Sequence, residues 1–596
     1  SPRTNDYEQR FSATLSMGWT DYEWLNWLDL KDISYQSSFQ WSNGSKGSLR
    51  GASVNNSLNV RTGATLRPNK IWSRFGFFER LKDAQRASGQ EDRGGGRGGD
   101  RSSGAEGENE EGEDGESSDN GGLGWEDVPL PDPMGVVRGL ALMVLDINDV
   151  SLNYNGDWSA RSSNVGTLST DSTDVGVHYR LFDAVQGEGP SVGYRLGLSR
   201  SIGAEDRVLL DQFQVSDALS NRHRFEGRTT LSPSQSLQVD LSWNVQWSKQ
   251  SDVTFRTQQD EGRGRGGTET STAERFTTES GENSASVWGF GSIVSLVEQQ
   301  VSRLPEPGDE ASEDVQSAGT VALTNTSVAD DFQDAYVRGL GRIGAEGFAP
   351  VPLPGWNVRY SGLSDWPLLG SIVESASLTH GYSAEYRSGY SSVSTAGDTT
   401  EASLGQAFRE PEFKIGQARL SEQYQPLLGV DITWPGNLDT SFKWNRKVET
   451  FLRTANLKVE EVKTTQLSGS ISYRKRGLRI PVLGLGRLEN QIRFSVSVSR
   501  SVNDERSYNL QGVLSEEQST EESLDASQIT DPTQDYVTVR KQTTRLKVSP
   551  ELTYRLSDQV TADLLVEYEQ FDGDNRQPSY TRINGGFNLR VSITQN

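Results

Sequence analysis

The chain has 596 residues, with 59 basic against 82 acidic side chains, a formal net charge of −23, three histidines and no cysteine. That acidity gives nucleic-acid binding no electrostatic support, and the missing thiols exclude disulfides and thiolate chemistry. Only 33% of residues are hydrophobic, and the longest apolar run, Gly139 to Leu145, is closed by Arg138 and Asp146, which excludes a helix-spanning membrane protein but not a β-barrel, half of whose strand residues are polar.

In chain order, apolar residues recur at every second position, the period of a strand with two unlike faces. Residues 1-83 read as strands with an aromatic-rich end: Ile33, Tyr35, Phe39 and Trp41 alternate with polar neighbours, as do Leu58, Val60, Ala64 and Leu66. Residues 84-134 form an acidic insertion rich in Gly, Ser and Glu, with an aromatic-free core from Ala84 to Gly124, and composition of this kind cannot bury enough apolar surface to fold. Its Arg93-Gly-Gly-Gly-Arg97 fragment sits beside the acidic run and reads as solvated loop. Strands resume over 135-248, with segments at 147 to 158, 172 to 180, 191 to 200, 222 to 231 and 237 to 248; in the last, Leu237, Val239, Leu241, Trp243, Val245 and Trp247 alternate with Gln238, Asp240, Ser242, Asn244 and Gln246. Residues 249-350 read as a long loop region with a short helix near 291-304, where Val294, Val297, Val301 and Leu304 share a helical face. Residues 351-596 are C-terminal strands, with clear alternation at Ile492, Phe494, Val496 and Val498, at Val560, Ala562, Leu564, Val566 and Tyr568, and at Phe587, Leu589, Val591 and Ile593.

In all, about seventeen segments of roughly ten residues or more are present, near the length a tilted strand needs to cross a bilayer and longer than the roughly five or six of ordinary strands. The expected fold class is therefore all-β: a large transmembrane antiparallel β-barrel with long polar loops, polar within and lipid-facing outside. A soluble sandwich also alternates, but its strands are shorter. Trp19, Trp41, Trp247, Trp434 and Trp444 lie near segment ends, where interfacial girdles form. An odd strand count does not suit a self-contained barrel with both termini in the periplasm, and Ser1 is not preceded by a leader, so the chain reads as processed or as a C-terminal part of a longer one. With the C-terminus periplasmic, strand parity places the short turns at Ser232 to Ser236, Pro435 to Leu438 and Ser557 to Gln559 on the periplasmic side, and the 249 to 350, 391 to 420 and 503 to 537 connections outside. It places the long 68 to 146 connection in the periplasm, against the usual length rule, unless a strand near Val136 to Val144 intervenes.

No catalytic, cofactor-binding or metal site is read from the residues. His178, His223 and His380 are far apart, and no HExxH, nucleophile elbow, phosphate loop or EF-hand spacing accompanies them. His380, in Leu378-Thr379-His380-Gly381-Tyr382, shares its strand parity with Leu378 and Tyr382 and reads as a girdle residue. The expectation is a protein that is not an enzyme.

Several segments resemble the SprA/Sov family, the outer-membrane translocon of type IX secretion in Bacteroidota. Val351-Pro-Leu-Pro-Gly-Trp-Asn-Val-Arg-Tyr-Ser-Gly-Leu-Ser-Asp-Trp-Pro-Leu-Leu369 is similar to that family's proline-led stretch, Ser377-Leu-Thr-His-Gly-Tyr382 to the strand after it, and Tyr424-Gln-Pro-Leu-Leu-Gly-Val-Asp431 to its "PLIGVD" segment. Thr454-Ala-Asn-Leu457, Lys463-Thr-Thr465, Trp24 to Trp41, Asn55 to Leu58 and Asn69 to Phe78 follow the family order. The acidic insertion and the ending Ile593-Thr-Gln-Asn596, which lacks a terminal aromatic residue, depart from the pattern. The resemblance implies a very large barrel passing folded cargo that bears a C-terminal secretion domain. It also implies work with a PorV-type shuttle protein, a periplasmic plug protein and an inner-membrane motor complex, in contact with outer-membrane lipid and serving gliding motility, with no nucleic acid and no cofactor. Other readings of the same residues are a lipopolysaccharide-inserting or TonB-dependent transport barrel, or a β-rich surface adhesin.

Overall fold

The computed structural model describes residues 6–16, 26–42, 52–72, 149–165, 190–200, 202, 215–259, 271–289, 291–296, 325–338, 352–366, 369–395, 414–479, 487–510, 537–555, 559–574 and 577–591. They form a large antiparallel sheet of 18 strands. The strands are β1 (Asp6–Leu15), β2 (Leu28–Leu30), β3 (Ile33–Ser42), β4 (Ala52–Leu66), β5 (Val150–Val165), β6 (Val215–Ser234), β7 (Leu237–Gln259), β8 (Ser271–Gly289), β9 (Val337–Arg338), β10 (Gly355–Tyr360), β11 (Ser375–Thr395), β12 (Lys414–Trp434), β13 (Leu438–Arg453), β14 (Lys458–Arg479), β15 (Arg487–Asn509), β16 (Val537–Arg555), β17 (Val560–Asp572) and β18 (Tyr580–Val591). Among the described residues the helices α1 (Pro68–Trp72), α2 (Val192–Arg195) and α3 (Asn325–Tyr336) accompany them, and a further helical turn occupies 293–296. Among the described residues no helix is long and apolar enough to cross a membrane.

The alternation in the sequence becomes two continuous faces once the strands are in register. One cross-strand row runs Val430, Phe442, Gly469, Val498, Val548, Tyr568, Ile583 from β12 to β18. The adjacent row, on the other face, runs Asp431, Ser441, Ser470, Ser497, Ser549. Apolar members of the first face stand bare: Phe442 is 41% exposed, Ile471 52% and Ile583 71%. A face of large exposed aliphatic and aromatic groups is unfavourable against water by about 25 cal/mol per Å² and favourable against lipid. Further along the same strands that face becomes mixed: the row Thr450, Glu461, Arg506, Arg540 is polar and charged, while Leu452, Val459 and Tyr508 beside it are apolar and buried. The strands are 19 to 23 residues long at β8, β7 and β15, against the roughly 9 to 11 a tilted strand spends in a bilayer. The bare apolar band occupies one half of the wall, and a half of mixed polar and covered apolar residues extends beyond it.

The short turns at 235–236 and 435–437 lie at the band end, where Asn437 and Gly436 take positive φ of 65° and 90° to reverse the chain. The connection between β4 and β5 opens at this same end, because Leu66 pairs with Val150 and the two strands are direct neighbours. No strand stands between them in the sheet, so this connection lies at the same end as the short turns; the Val136 to Val144 segment lies outside the described residues. β1 pairs with β3 and β18 with β17; among the described residues neither has a second partner.

Two expectations are corrected. The alternation of Val192, Tyr194, Leu196 and Leu198 reads as a strand over 191 to 200, yet the segment is α2: the Ser191 hydroxyl accepts from Tyr194 N, and Gly197, at φ 78°, ends the turn. Tyr194 is fully buried while Val192 and Leu198 are exposed, so four residues of helix imitate a period of two. The 249–350 region is not all loop. β7 continues to Gln259 and β8 fills Ser271–Gly289, strands whose outer stretches are too rich in polar residues to carry a clear alternation in sequence. Segment 172 to 180 and most of the 84-134 insertion lie outside the described residues.

Candidate functional site: a polar surface beside a divided strand

β8 and β10 share one position in the wall. Ala285 of β8 pairs with Val245 of β7 and with Tyr386 of β11, while Trp356 of β10 pairs with Leu241 and Tyr382 of those same two neighbours. A single crossing is thus assembled from two pieces, with 290–354 between them. The chain leaves on the apolar side, where Gly289 N donates to the Tyr382 hydroxyl at 2.8 Å and Trp288 and Gly289 pair with β9. It is tied back where Leu353 N donates to Ser286 O at 2.9 Å and Trp288 Nε1 to Pro354 O at 2.9 Å.

Between these ties α3 lies on the outward face above the apolar band. Val328, Ala329, Phe332 and Ala335 join Tyr386, Leu420, Leu452, Val459 and Tyr508 in the largest buried cluster, with Phe332 fully buried. Burial and the Glu461 carboxylate push the Tyr336 phenol well above its usual range, so it stays neutral at any physiological pH. The helix stripe expected over 291-304 is described only as one turn at 293–296, whose Ile293 and Leu296 join this cluster; Val297, Val301 and Leu304 lie outside the described residues. α2 makes a similar cover over β3 to β5, with Asn56 Nδ2 donating to Tyr194 O at 2.8 Å and Arg195 stacked 5.5 Å from the Phe39 ring centre. Trp41, expected as a girdle residue, is 3% exposed beneath it.

On the opposite, polar face the divided position borders two cavities. The larger, about 550 Å³, is lined by Gln238 and Asp240 of β7, Asn357 and Arg359 of β10, Thr379 of β11, and Asp431, Lys443 and Asn445 beyond. It exists because β12 bulges between Tyr424 and Leu428, where Pro426 has no N–H for the ladder. Gly381 admits the bulge: a Cβ there would sit 2.6 Å from Gln425 O. The smaller cavity, about 280 Å³, sits at the division itself, with Arg224 and Glu226 paired at 2.6 Å and Asn244 N donating to Ser286 Oγ at 2.8 Å. Carboxylates, cations and amides alternate over this surface: Thr230 Oγ1 donates to Asp240 at 2.7 Å and Gln238 Nε2 to Asp240 at 3.1 Å. The chemistry available is reversible, wet hydrogen bonding and charge contact, without a nucleophile–base pair.

Gln238, Asp240, Asn244 and Gln246, and likewise Arg493, Ser495, Ser497 and Ser499, lie on the polar face as their alternation requires. Sequence reasoning did not single out Asn357, Arg359, Lys443 or the bulge, since their meeting depends on cross-strand register; Pro426 inside an apolar segment was the available signal. His380 is on the apolar face, its Nδ1 donating to the bulge carbonyl of Leu427 at 2.7 Å. His223 stacks on Trp247 with ring centres 4.7 Å apart and bonds the Tyr154 hydroxyl at 2.9 Å; His178 lies outside the described residues. No group of three metal-capable side chains occurs among the described residues.

A sheet with one bare apolar band, one polar face and strands longer than a bilayer requires is a wall of the outer-membrane β-barrel class. No protein-family model matches the chain, and no curated protein matches it. Among solved structures it is similar to the RagAB peptide importer in its open-open state, at 10% identity over 92% of this chain and 51% of that one, TM-score 0.26. It is also similar to BauA, the ferric preacinetobactin receptor of Acinetobacter baumannii, at 6% identity over 99% and 71%, TM-score 0.25. A third is the ferripyoverdine receptor of the outer membrane of Pseudomonas aeruginosa, at 6% over 98% and 57%, TM-score 0.25. The chain spans about half the length of the RagAB chain it matches. At these scores the likeness adds nothing to what the two faces of the sheet establish.

Proposed function

We propose that this chain forms part of the wall of an outer-membrane transport barrel, and specifically of a protein-conducting translocon that passes folded cargo to the cell surface by type IX secretion. The observation that supports transport is the predominantly polar inner face, with the row Asp431, Ser441, Ser470, Ser497, Ser549 and the charged surface around Arg359 and Lys443. Short hydroxyl and amide groups offer moving protein little apolar surface to stick to, and a wall of this many strands encloses a lumen too wide for side chains to fill. The finer reading rests on the resemblance of segments 351 to 369 and 424 to 431 to the SprA/Sov family. On it, cargo with a C-terminal secretion domain, a PorV-type shuttle, a periplasmic plug and an inner-membrane motor complex are the partners, and the motor supplies the driving force.

Deleting the coding sequence in the host is expected to leave proteins with a C-terminal secretion domain in the periplasm, as read by fractionation and surface proteolysis. Normal surface display of those proteins alongside failed nutrient uptake or lipopolysaccharide export would replace the translocon with another transport barrel.

A further inference from the structure

The turn joining β10 to β11, described over residues 361–366 and 369–374, does not project into water as a loop would. It folds back on the apolar face. Leu363 and Val373 are buried in a cluster with Ala376, packed against Tyr360, Leu378, Ile432 and Trp434. Both ends are fixed to neighbouring turns: Ser361 N donates to Ser236 O at 2.8 Å and Glu374 N to Thr433 O at 2.8 Å. Inside, Gly370 N donates to Trp366 O at 2.8 Å and Val373 N to Leu369 O at 3.0 Å, so the segment is a preformed knob. Beside the exposed Asp365, Ser371 and Glu374, its outer surface carries two large apolar groups: Trp366 is 52% exposed and Ile372 54%.

The surface beneath the knob identifies what lies over it. Leu378 pairs with Val430 and Val430 with Phe442, so the covered row is the same row that runs bare to Val498 and Ile583. Trp434 and Tyr473, both opposite Leu438, place an aromatic girdle at this level. Asp365 and Glu374 are the charged residues of the turn, so cationic attraction to anionic headgroups is absent and apolar insertion is the remaining attraction. We infer that the 361–374 turn is a membrane-interface anchor, with Trp366 and Ile372 seated at the headgroup–acyl boundary of the leaflet at the short-turn end of the wall. This rests on the reading of the sheet as a membrane wall, and the test separates the two.

The chain has no cysteine, so each probe site is unique. Ile372→Cys, Trp366→Cys, Phe442→Cys as a control on the bare row and Ser495→Cys as a control on the polar face are each labelled with bimane. The full chain is folded into phosphatidylethanolamine–phosphatidylglycerol vesicles in which part of the lipid carries brominated acyl chains, which quench by contact. Quenching at 372 and 366 of at least half that at 442, with none at 495, is the expected result. Quenching at 442 but not at 372 or 366 overturns the anchor and leaves the wall intact, whether the turn then meets water or another protein. Absence of quenching at 442 overturns the wall and the anchor together. Both probe positions are exposed, so neither change disturbs the packing under the knob, and the second site gives the reading should the first variant not fold.

Discussion

Ile471 and Ser470 are adjacent in β14 and meet different media: Ile471 stands half exposed on the bare apolar face, while the Ser470 hydroxyl lies 2.7 Å from that of Ser441 on the polar one. Ile471→Arg is therefore expected to cost about 2 to 4 kcal/mol of folding free energy in vesicles, because a guanidinium near mid-bilayer loses its hydration. Ser495→Arg on the polar face, opposite Glu551, is expected to be tolerated. Denaturant titration of the reconstituted protein reads both, and equal losses would contradict the assignment of faces. Leu241, between Thr229 and Trp356 on the apolar face, is expected to behave as Ile471 does.

At the scale of elements, α3 is held by close backbone approach as well as by burial. A Cβ on Gly291 would stand 2.1 Å from Tyr336 Cα and 2.3 Å from Ala335 O, atoms that cannot step aside as a flexible side chain can. Gly291→Ala is expected to lift the C-terminal turn of α3, at a cost of about 1 to 3 kcal/mol, seen as faster amide exchange at 328–336 with β13 to β15 unchanged. Unchanged exchange at 328–336 would show that the contact is not needed. Elements differ in how far the sequence discloses them, for a physical reason. β3 was legible with its bounds, Ile33 to Ser42, and the strands from β11 to β18 were legible in their apolar halves, since lipid on one side and water on the other write a period of two. β8 was not, because its apolar residues are few, Ala285 and Val287 entering the cluster under α3, and most of the strand is polar in sequence. α3 was missed because small and acidic residues dilute its stripe of Val328, Phe332 and Ala335. The polar face was legible as a face, whereas the cavity beside β10 was not, since it arises from a bulge and from register across five strands.

For the whole molecule, the wall has two distinguishable ends, and orientation is a single binary fact. The turn at Asn437 lies at the band end, and the short connection Thr454–Asn456 at the opposite end. An Ala455→Cys variant is expected to react with an impermeant thiol reagent on intact cells and an Asn437→Cys variant only after the outer membrane is broken; the reverse pattern would invert the protein. Most neighbouring strands in this wall follow one another in sequence, so it can zip hairpin by hairpin. The position divided between β8 and β10 is different, because Tyr390 of β11 pairs with Gly281, roughly a hundred residues upstream, and closing so long a loop carries an entropy cost that local hairpins avoid. The wall therefore consists of two arcs of local contacts, β1 to β8 and β11 to β18, joined by contacts of long sequence separation. The join between them is the part of the wall with the largest loop-closure entropy, so shortening the enclosed segment is expected to speed refolding, and an unchanged rate would show that closure of this join does not limit it.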